Sequence, residues 1–487
     1  MSGIATTPSK RLYLMGIGGI AMGTLAGMLQ DMGYHVTGSD TQLYPPMSTF
    51  LERKQIPVLP GYAAENIRAA RPEMVIVGNV IRKDNPEAQE AAALEIPMIS
   101  MPQALERFVL YRHRSLVVCG THGKTTTTGL LGFVLETAEL DPSVFIGGFV
   151  KNWDRSYRIG SGPYMALEGD EYDTAFFDKG PKFLHYQPWA VILTSIEFDH
   201  ADIYRDIGHI EEAFRRLCRL IPQDGLLVTC GDDSRCLDAA KECRAEVVTY
   251  GRGPDCHWRL DRVEPLEGRV CLTVRDPFGG STSWESPLLG RHNALNTLGV
   301  LALCRELGIP DEAVQEALRR FEGMRRRQDI LYQDGSITII DDFAHHPTAV
   351  RETVRAIKEC YPHSRLLAVF EPRTNTSRRR FFQETYPEAF TEADWVGIKE
   401  PAGFHAIPSE ERLDTRALVH EIARRGIPAQ LYREDDPVVL DLMVRIRPGD
   451  TLLLMSNGSM DDVPRRLAQA CQDAFGSQGR RPALHGG

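Results

Sequence analysis

The sequence lacks any Cys-x-x-Cys pair: its ten cysteines are scattered from Cys119 to Cys471. Zinc ribbons are built on such pairs, and scattered cysteines in a long chain read as a reduced protein rather than a disulfide framework, so the cysteines are expected to fill cores. It also lacks an excess of positive charge, with 56 Lys and Arg against 66 Asp and Glu for a net of −10. A general attraction for nucleic acid is excluded, and any phosphate ligand must be held by local devices. No repeat of fixed period and no low-complexity tract is present. One segment invites a membrane reading. Leu12 to Leu29 is eighteen residues without a charge, follows Lys10 and Arg11, and spaces Gly19, Gly23 and Gly27 like a membrane dimer face. Eighteen residues barely span a bilayer, glycines weaken an isolated helix, and no small-residue cleavage site follows. Stable membrane association is therefore not expected.

What is present is a soluble α/β pattern. The 487 residues, 43% hydrophobic and 25% charged, suit two or three domains. Short apolar runs that end in Gly or polar residues alternate with helical stretches: MVIVGN, SLVVCG, YMALEG, WAVILTSI, GLLVTC, SITIIDD, RLLAVFEP, ADWVGIKE and DTLLLMSNG. That rhythm signals parallel sheets with crossover helices. It restarts near residues 115 and 335, which predicts three α/β domains at 1–110, 111–327 and 328–487. The joints are expected at Phe108 to Arg114 and in the basic stretch Phe321 to Asp329. Between about 250 and 290, short β runs with Gly and Pro predict an antiparallel appendage on the middle sheet, and from about Gln478 the chain reads as a loose tail.

Five places carry chemistry. RLYLMGIGGIAMGTLAGML reads as strand, tight turn and helix, with Gly16-x-Gly18-x-x-Ala21 matching a G-x-G-x-x-G/A turn and Ser39-Asp40 closing the next strand. Such a Rossmann-like unit serves any ligand offering a pyrophosphate and a ribose. Gly120-Thr121-His122-Gly123-Lys124-Thr125-Thr126, between a strand and a helix, is a phosphate cradle of P-loop type, although Val118 stands where a strict Walker A loop wants its first glycine. Its glycines let backbone N–H groups turn inward, Lys124 reaches phosphates and Thr125 offers a hydroxyl to Mg²⁺. Ligands in open α/β sheets sit beyond the carboxyl ends of strands, so Glu168 of YMALEGDEYD and His200 of WAVILTSIEFDHAD should converge on that loop. Glu168 can complete a hard oxygen site for Mg²⁺, and His200 can bind a second cation or orient a phosphate. Asp170, Glu171 and Asp173 read as loop charges or substrate contacts. Asn293 and Asn296 share one helix face and can read an adenine edge, with N-capping an alternative role for Asn293. One of Arg325, Arg326 and Arg327 can clamp a transferring phosphoryl group.

Together these segments resemble the Mur ligases, cytosolic ATP-dependent amide ligases of bacterial cell-wall synthesis. GTHGKTTT, EGDEYD, EFDH, GRHNALN, the RRR hinge and DDFAHHP occur in the family's order and approximate spacing over nearly the whole chain. The His of GTHGKT and DDFAHHP resemble the branch that takes UDP-N-acetylmuramate itself. YPPMST, FFDKGPKFLHY, EPRTNT and MSNG resemble the members that add the tripeptide L-alanyl-γ-D-glutamyl-meso-diaminopimelate, in peptidoglycan recycling, rather than L-alanine. The resemblance implies a Rossmann-like UDP-sugar domain, a central ATPase domain with a mostly parallel sheet, and a Rossmann-like domain for the incoming peptide. It implies that Lys124, Glu168, His200 and Arg327 are catalytic, with Mg²⁺ on Thr125, Glu168 and His200. ATP would lie against Gly120 to Thr126, His292, Asn293, Asn296, Arg327 and Asp342. Gly16, Gly18, Gly19, Ser39 and Asp40 would face the UDP-sugar, and Arg373, Asn375, Ser456 and Asn457 the peptide. Several members carry a carbamoylated lysine after the D-H motif, but no lysine occurs here from Ala201 to Ala240. The expected partners are small molecules, the expected address is cytoplasmic, and no feature bears on oligomeric state. An NAD-dependent dehydrogenase would leave GTHGKT unexplained, and a non-catalytic nucleotide binder would form no amide.

Overall fold

A computed structural model describes residues 10–475 apart from Asp202 and Glu267; the tail expected from Gln478 lies outside the described residues. Three main sheets form in chain order. The first has five parallel strands in the order Val58–Pro60, His35–Asp40, Arg11–Met15, Met74–Val77 and Met98–Ser100. Its central strand is buried from Leu12 to Met15 without alternation, because helices cover both faces.

The second sheet has six parallel strands at its centre: Glu246–Gly251, Leu226–Cys230, Pro188–Leu193, Arg114–Cys119, Tyr164–Gly169 and Ser143–Val150. The antiparallel appendage is present as Trp258–Leu266, Arg269–Arg275 and Ser281–Ser286, which extend this sheet at one edge. The third sheet runs Asp329–Gln333, Thr338–Asp342, Asp450–Ser456, Arg365–Glu371, Trp395–Lys399 and Ala429–Tyr432, parallel except for its first strand.

Leu12 to Leu29 is a strand, a turn and the helix Ile20–Asp31, and no described helix is long and apolar enough to cross a membrane. The small residues of that helix face protein. A Cβ on Gly23 would lie 2.1 Å from Met47 Sδ, and one on Gly27 would lie 2.4 Å from Phe50 and 3.1 Å from Tyr157 of the middle sheet. Thr24 and Ser156 share a buried hydroxyl hydrogen bond of 2.7 Å across the same contact. Six of the ten cysteines are buried and all are free, as core filler should be.

The joint between the second and third sheets is a fork. Arg325 stays with the middle sheet, its N–H on the Phe149 carbonyl at 2.9 Å and its guanidinium on Asp154 at 2.6 Å. Arg326 donates to the carbonyls of Ser456, at 2.6 Å, and Gly458, and pairs with Asp341 of the third sheet at 3.3 Å. Arg327 turns back onto the phosphate loop. Arg326 and Gln328 adopt left-handed φ of +60° and +49°, which lets consecutive side chains diverge.

Gly27→Val should destabilise the protein by about 1–3 kcal/mol through overpacking against Phe50 and Tyr157. Urea unfolding followed by tryptophan fluorescence checks this, and an unchanged midpoint would contradict the packed role of this helix face.

Candidate functional site

The phosphate loop leaves the strand Arg114–Cys119 and opens the helix Lys124–Thr137. Its glycines are required sterically. Gly120 and Gly123 have φ of +129° and +80°, and a Cβ would come within 2.2 Å of Thr194 Oγ1 at the first and 2.6 Å of Asn296 at the second. Lys124 folds over the loop, donating to the Gly120 carbonyl at 2.6 Å and the Thr121 carbonyl at 3.2 Å, and pairs with Glu171 at 2.9 Å. Burial would lower the ammonium's pKa, but Glu171 and Asp170 hold it above the ordinary value.

Glu171 is the unexpected centre of this network. It is almost fully buried, pairs with Lys124, and accepts from His200 Nε2 at 3.2 Å. Burial opposes the imidazolium, yet Glu171 and Asp199 push the His200 pKa up to about 9. Asp170 pairs with Lys182, while Asp173 faces Lys179. Glu171 and Asp170 therefore act as counter-charges to Lys124, His200 and Lys182. The available signal was the acidic run itself, emerging on the strand edge where Lys124 needs a partner.

Thr125 Oγ1 donates to Glu168 at 2.9 Å and accepts from Arg327 Nη2 at 3.2 Å, and Glu168 also accepts the Gly147 N–H at 2.8 Å. This pair of hard oxygen donors fits Mg²⁺. His200 is engaged with Glu171 rather than with that pair. A second group suited to a metal is His122, Glu197 and His346, whose ligand atoms all lie within 4.8 Å of one another. It joins the phosphate loop to the third domain, with His122 Nε2 2.8 Å from Glu197.

A cavity of about 430 Å³ opens beside the loop, in the range of ligand clefts. It brings together His122, Gly123 and Thr126 of the loop, His292, Asn293 and Asn296 of the helix Arg291–Glu306, and Arg327 and Asp342 from the joint. Asn293 is not an N-cap: Gly290 holds that position, and the Asn293 amide donates to the Leu289 carbonyl at 3.0 Å and Gln328 at 3.2 Å. His292 Nδ1 is buried without a partner, and burial pushes the ring's pKa down to about 4, so the imidazole is neutral. Asp342 accepts the N–H groups of Gln328 and Ala344 at 2.7 Å each. Asp232, Arg252 and Glu352 also line the cavity and belong to no motif; only the fold gathers them.

In the first domain, Gly16 adopts φ +77° and donates to the Ser39 carbonyl at 2.9 Å, while Gly18 N–H donates to Asp40 at 2.8 Å. Gly19 is the N-cap of the helix. Ser39 closes the neighbouring strand His35–Asp40. It is fully buried and donates to Glu87 at 2.6 Å, a carboxylate that also receives Tyr13 at 2.8 Å and Asn66 at 2.6 Å.

On the third sheet, Ser456 donates to the buried Glu371 at 2.6 Å, and Arg373 lies 3.9 Å from the same carboxylate, against Gly458. Arg373 Nη1 and Asn457 Oδ1 are buried without hydrogen-bond partners, and Asn375 accepts from Arg378 at 3.0 Å. Arg378, whose Nε is likewise buried without a hydrogen-bond partner, is a neighbour that no motif signalled.

Three family models match in chain order: "Mur ligase family, catalytic domain" over residues 11–113, "Mur ligase middle domain" over 118–304 and "Mur ligase, glutamate ligase domain" over 320–458. A UDP-N-acetylmuramate–L-alanyl-γ-D-glutamyl-meso-2,6-diaminoheptandioate ligase of Haemophilus influenzae is 36% identical over 461 residues, 94% of this chain and 98% of the relative. A UDP-N-acetylmuramate–L-alanine ligase of Acetivibrio thermocellus is 31% identical, over 93% and 94%. The crystal structure of a murein peptide ligase from Psychrobacter arcticus superposes with a TM-score of 0.71 at 29% identity, covering 95% and 98%.

Glu171→Gln should drop the His200 pKa from about 9 toward its ordinary 6.5. The sign follows from linkage: a raised imidazole pKa stabilises the fold fully below about pH 6.5, and that stability is lost as pH rises through about 9. Histidine hydrogen–deuterium exchange across pH reads the shift, and an unmoved His200 would remove Glu171 as its partner.

Proposed function

The chain belongs to the Mur ligase family, and from that premise we propose that it joins the carboxylate of UDP-N-acetylmuramate to the amine of L-alanyl-γ-D-glutamyl-meso-diaminopimelate. It is an ATP-dependent, amide-forming ligase. The reading is supported by identity to a tripeptide ligase over 94% of this chain and 98% of the relative, above that to the alanine ligases. It is also supported by the arrangement of the site, where a nucleotide-sized cavity and an arginine-bearing strand edge meet at one joint. The domains 1–110, 111–327 and 328–487 would take the UDP-sugar, ATP and the peptide respectively. The setting would be peptidoglycan recycling in the cytoplasm, with no nucleic acid or stable membrane partner.

The chemistry sets the requirements. A carboxylate does not accept an amine at neutral pH, so ATP first converts it to an acyl phosphate, and the amine then displaces phosphate through a tetrahedral intermediate. Two anions must approach in the first step. Lys124 and Arg327 offset that repulsion in a partly desolvated cleft, where such charges act strongly. Thr125 and Glu168 would hold Mg²⁺, and His200 would hold a second ion on giving up its proton; these ions when bound add further positive charge against the phosphates. His292, Asn293 and Asn296 would hold the adenine side, and Asp342 reaches the nucleotide from the third domain. Gly16, Gly18, Gly19, Ser39 and Asp40 would lie against the UDP moiety. Arg373, with Asn375, Ser456 and Asn457, would orient the peptide by a two-pronged carboxylate contact. Closure of the third domain excludes water that would hydrolyse the acyl phosphate.

ADP release with UDP-N-acetylmuramate and either the tripeptide or L-alanine tests the substrate, and faster turnover with L-alanine would replace the tripeptide. Lys124→Ala should lower turnover by at least ~10²-fold while UDP-sugar binding survives. Arg373→Ala should raise the tripeptide KM at least tenfold, ~1.4 kcal/mol, leaving KM for ATP and UDP-N-acetylmuramate within about threefold. Oxygen-18 in the substrate carboxylate should appear in released phosphate; label confined to the amide would exclude the acyl phosphate.

A further inference from the structure

The strands of the third sheet end side by side along its carboxyl edge, in the order Asp342, Ser456, Glu371, Lys399 and Tyr432. The first three ends carry the nucleotide and peptide groups described above. Immediately beyond the last two, Glu400 and Arg433 border a cavity of about 460 Å³ that nothing above uses. Its walls carry four guanidinium groups, Arg380, Arg412, Arg416 and Arg433, against two carboxylates, Glu400 and Asp414.

Both acids are already engaged. Glu400 is buried and accepts from Thr415 Oγ1 at 2.6 Å and His405 Nε2 at 3.0 Å, and Asp414 caps the helix Thr415–Arg424 through the Ala417 N–H at 2.9 Å. Among the described residues, Arg416 and Arg433 enter no ion pair, and the Arg380 guanidinium donates to the Arg412 carbonyl at 3.3 Å without a carboxylate partner. The cavity is therefore cationic in excess, with acceptors at its wall. That suits a ligand with more carboxylates than ammonium groups.

We propose that this cavity receives the diaminopimelate end of the incoming peptide, with Arg416 and Arg433 binding its carboxylates. The inference rests on the tripeptide reading. Diaminopimelate at the end of the peptide carries two carboxylates and one ammonium, the charge balance that the cavity complements. The reach also fits. Neighbouring strands are ~4.8 Å apart, so the Tyr432 strand lies ~10 Å beyond that of Arg373. A three-residue peptide spans up to ~10 Å when extended, and a γ-linked glutamyl unit lengthens it. With the amine at the acyl phosphate and the glutamyl carboxylate near Arg373, the third residue arrives over Glu400 and Arg433. The loop from Arg373 to Arg380 runs from one subsite to the other.

The test measures peptide binding by calorimetry on the full chain saturated with UDP-N-acetylmuramate and a non-hydrolysable ATP analogue. The probes are the tripeptide and the dipeptide L-alanyl-γ-D-glutamate, which lacks the third residue. Wild type should bind the tripeptide at least tenfold more tightly than the dipeptide. Arg433→Ala and Arg416→Ala, both at exposed positions, should each weaken the tripeptide at least tenfold and leave the dipeptide within twofold. Arg424→Ala, whose guanidinium pairs with Glu421 on the same helix, should change neither. An unchanged tripeptide Kd in both variants, or equal weakening of both peptides, overturns the subsite while leaving the ligase reading intact. If wild type binds L-alanine but neither peptide, the tripeptide reading fails and the subsite with it.

Discussion

Arg327 touches both halves of the reaction site, and the site exists as one object because of where that side chain is held. It leaves a joint whose preceding arginines are already committed, Arg325 to the middle sheet through Asp154 and Arg326 to the third sheet through Ser456, Gly458 and Asp341. Its guanidinium then reaches Thr125 of the phosphate loop and lies over the Phe343 ring. Exposed pairs such as Arg325–Asp154 contribute at most about 1 kcal/mol. The joint therefore matters through geometry more than through stability. It sets the distance between the glycine-rich loop and the carboxyl edge of the third sheet.

The loop itself is a balance of buried charge. Lys124 is desolvated, which alone would favour the neutral amine, and Glu171 and Asp170 restore the ammonium. The same Glu171 draws His200 into its charged form. One buried carboxylate thus favours the charged form of two neighbouring groups, and removing it would leave Lys124 without its short ion pair in a site that water reaches poorly. On the far side of the joint, burial pushes the carboxyl of Asp341 up to about 7, although Arg326 works against it. The cleft concentrates perturbed groups of both signs, as sites that handle transferred charge do.

Much of this was legible before the fold. The strands MVIVGN, SLVVCG and DTLLLMSNG stand where their apolar runs lie, because a parallel strand buried on both faces leaves an unbroken apolar trace. The phosphate loop was legible because its glycines answer local constraints of φ and close approach. Ser39 and Glu171 were not. Whether a short polar side chain faces a ligand or a buried carboxylate depends on a residue far along the chain, Glu87 in one case and Lys124 in the other. The capping alternative for Asn293 falls because Gly290 takes the cap one turn earlier.

The sequence by itself determined the element order, the glycine turns, the absence of a disulfide or membrane-spanning plan and the family, because these depend on local spacing and on residue type. Only the tertiary structure decided which charges meet. Lys124 with Glu171, Arg327 with Thr125, His122 with Glu197 and His346, and the arginine-walled cavity beside Glu400 join residues separated by tens to hundreds of positions. Such pairings follow from how sheets are laid edge to edge and from what burial costs an unpaired charge, and neither is encoded in any single stretch of the chain.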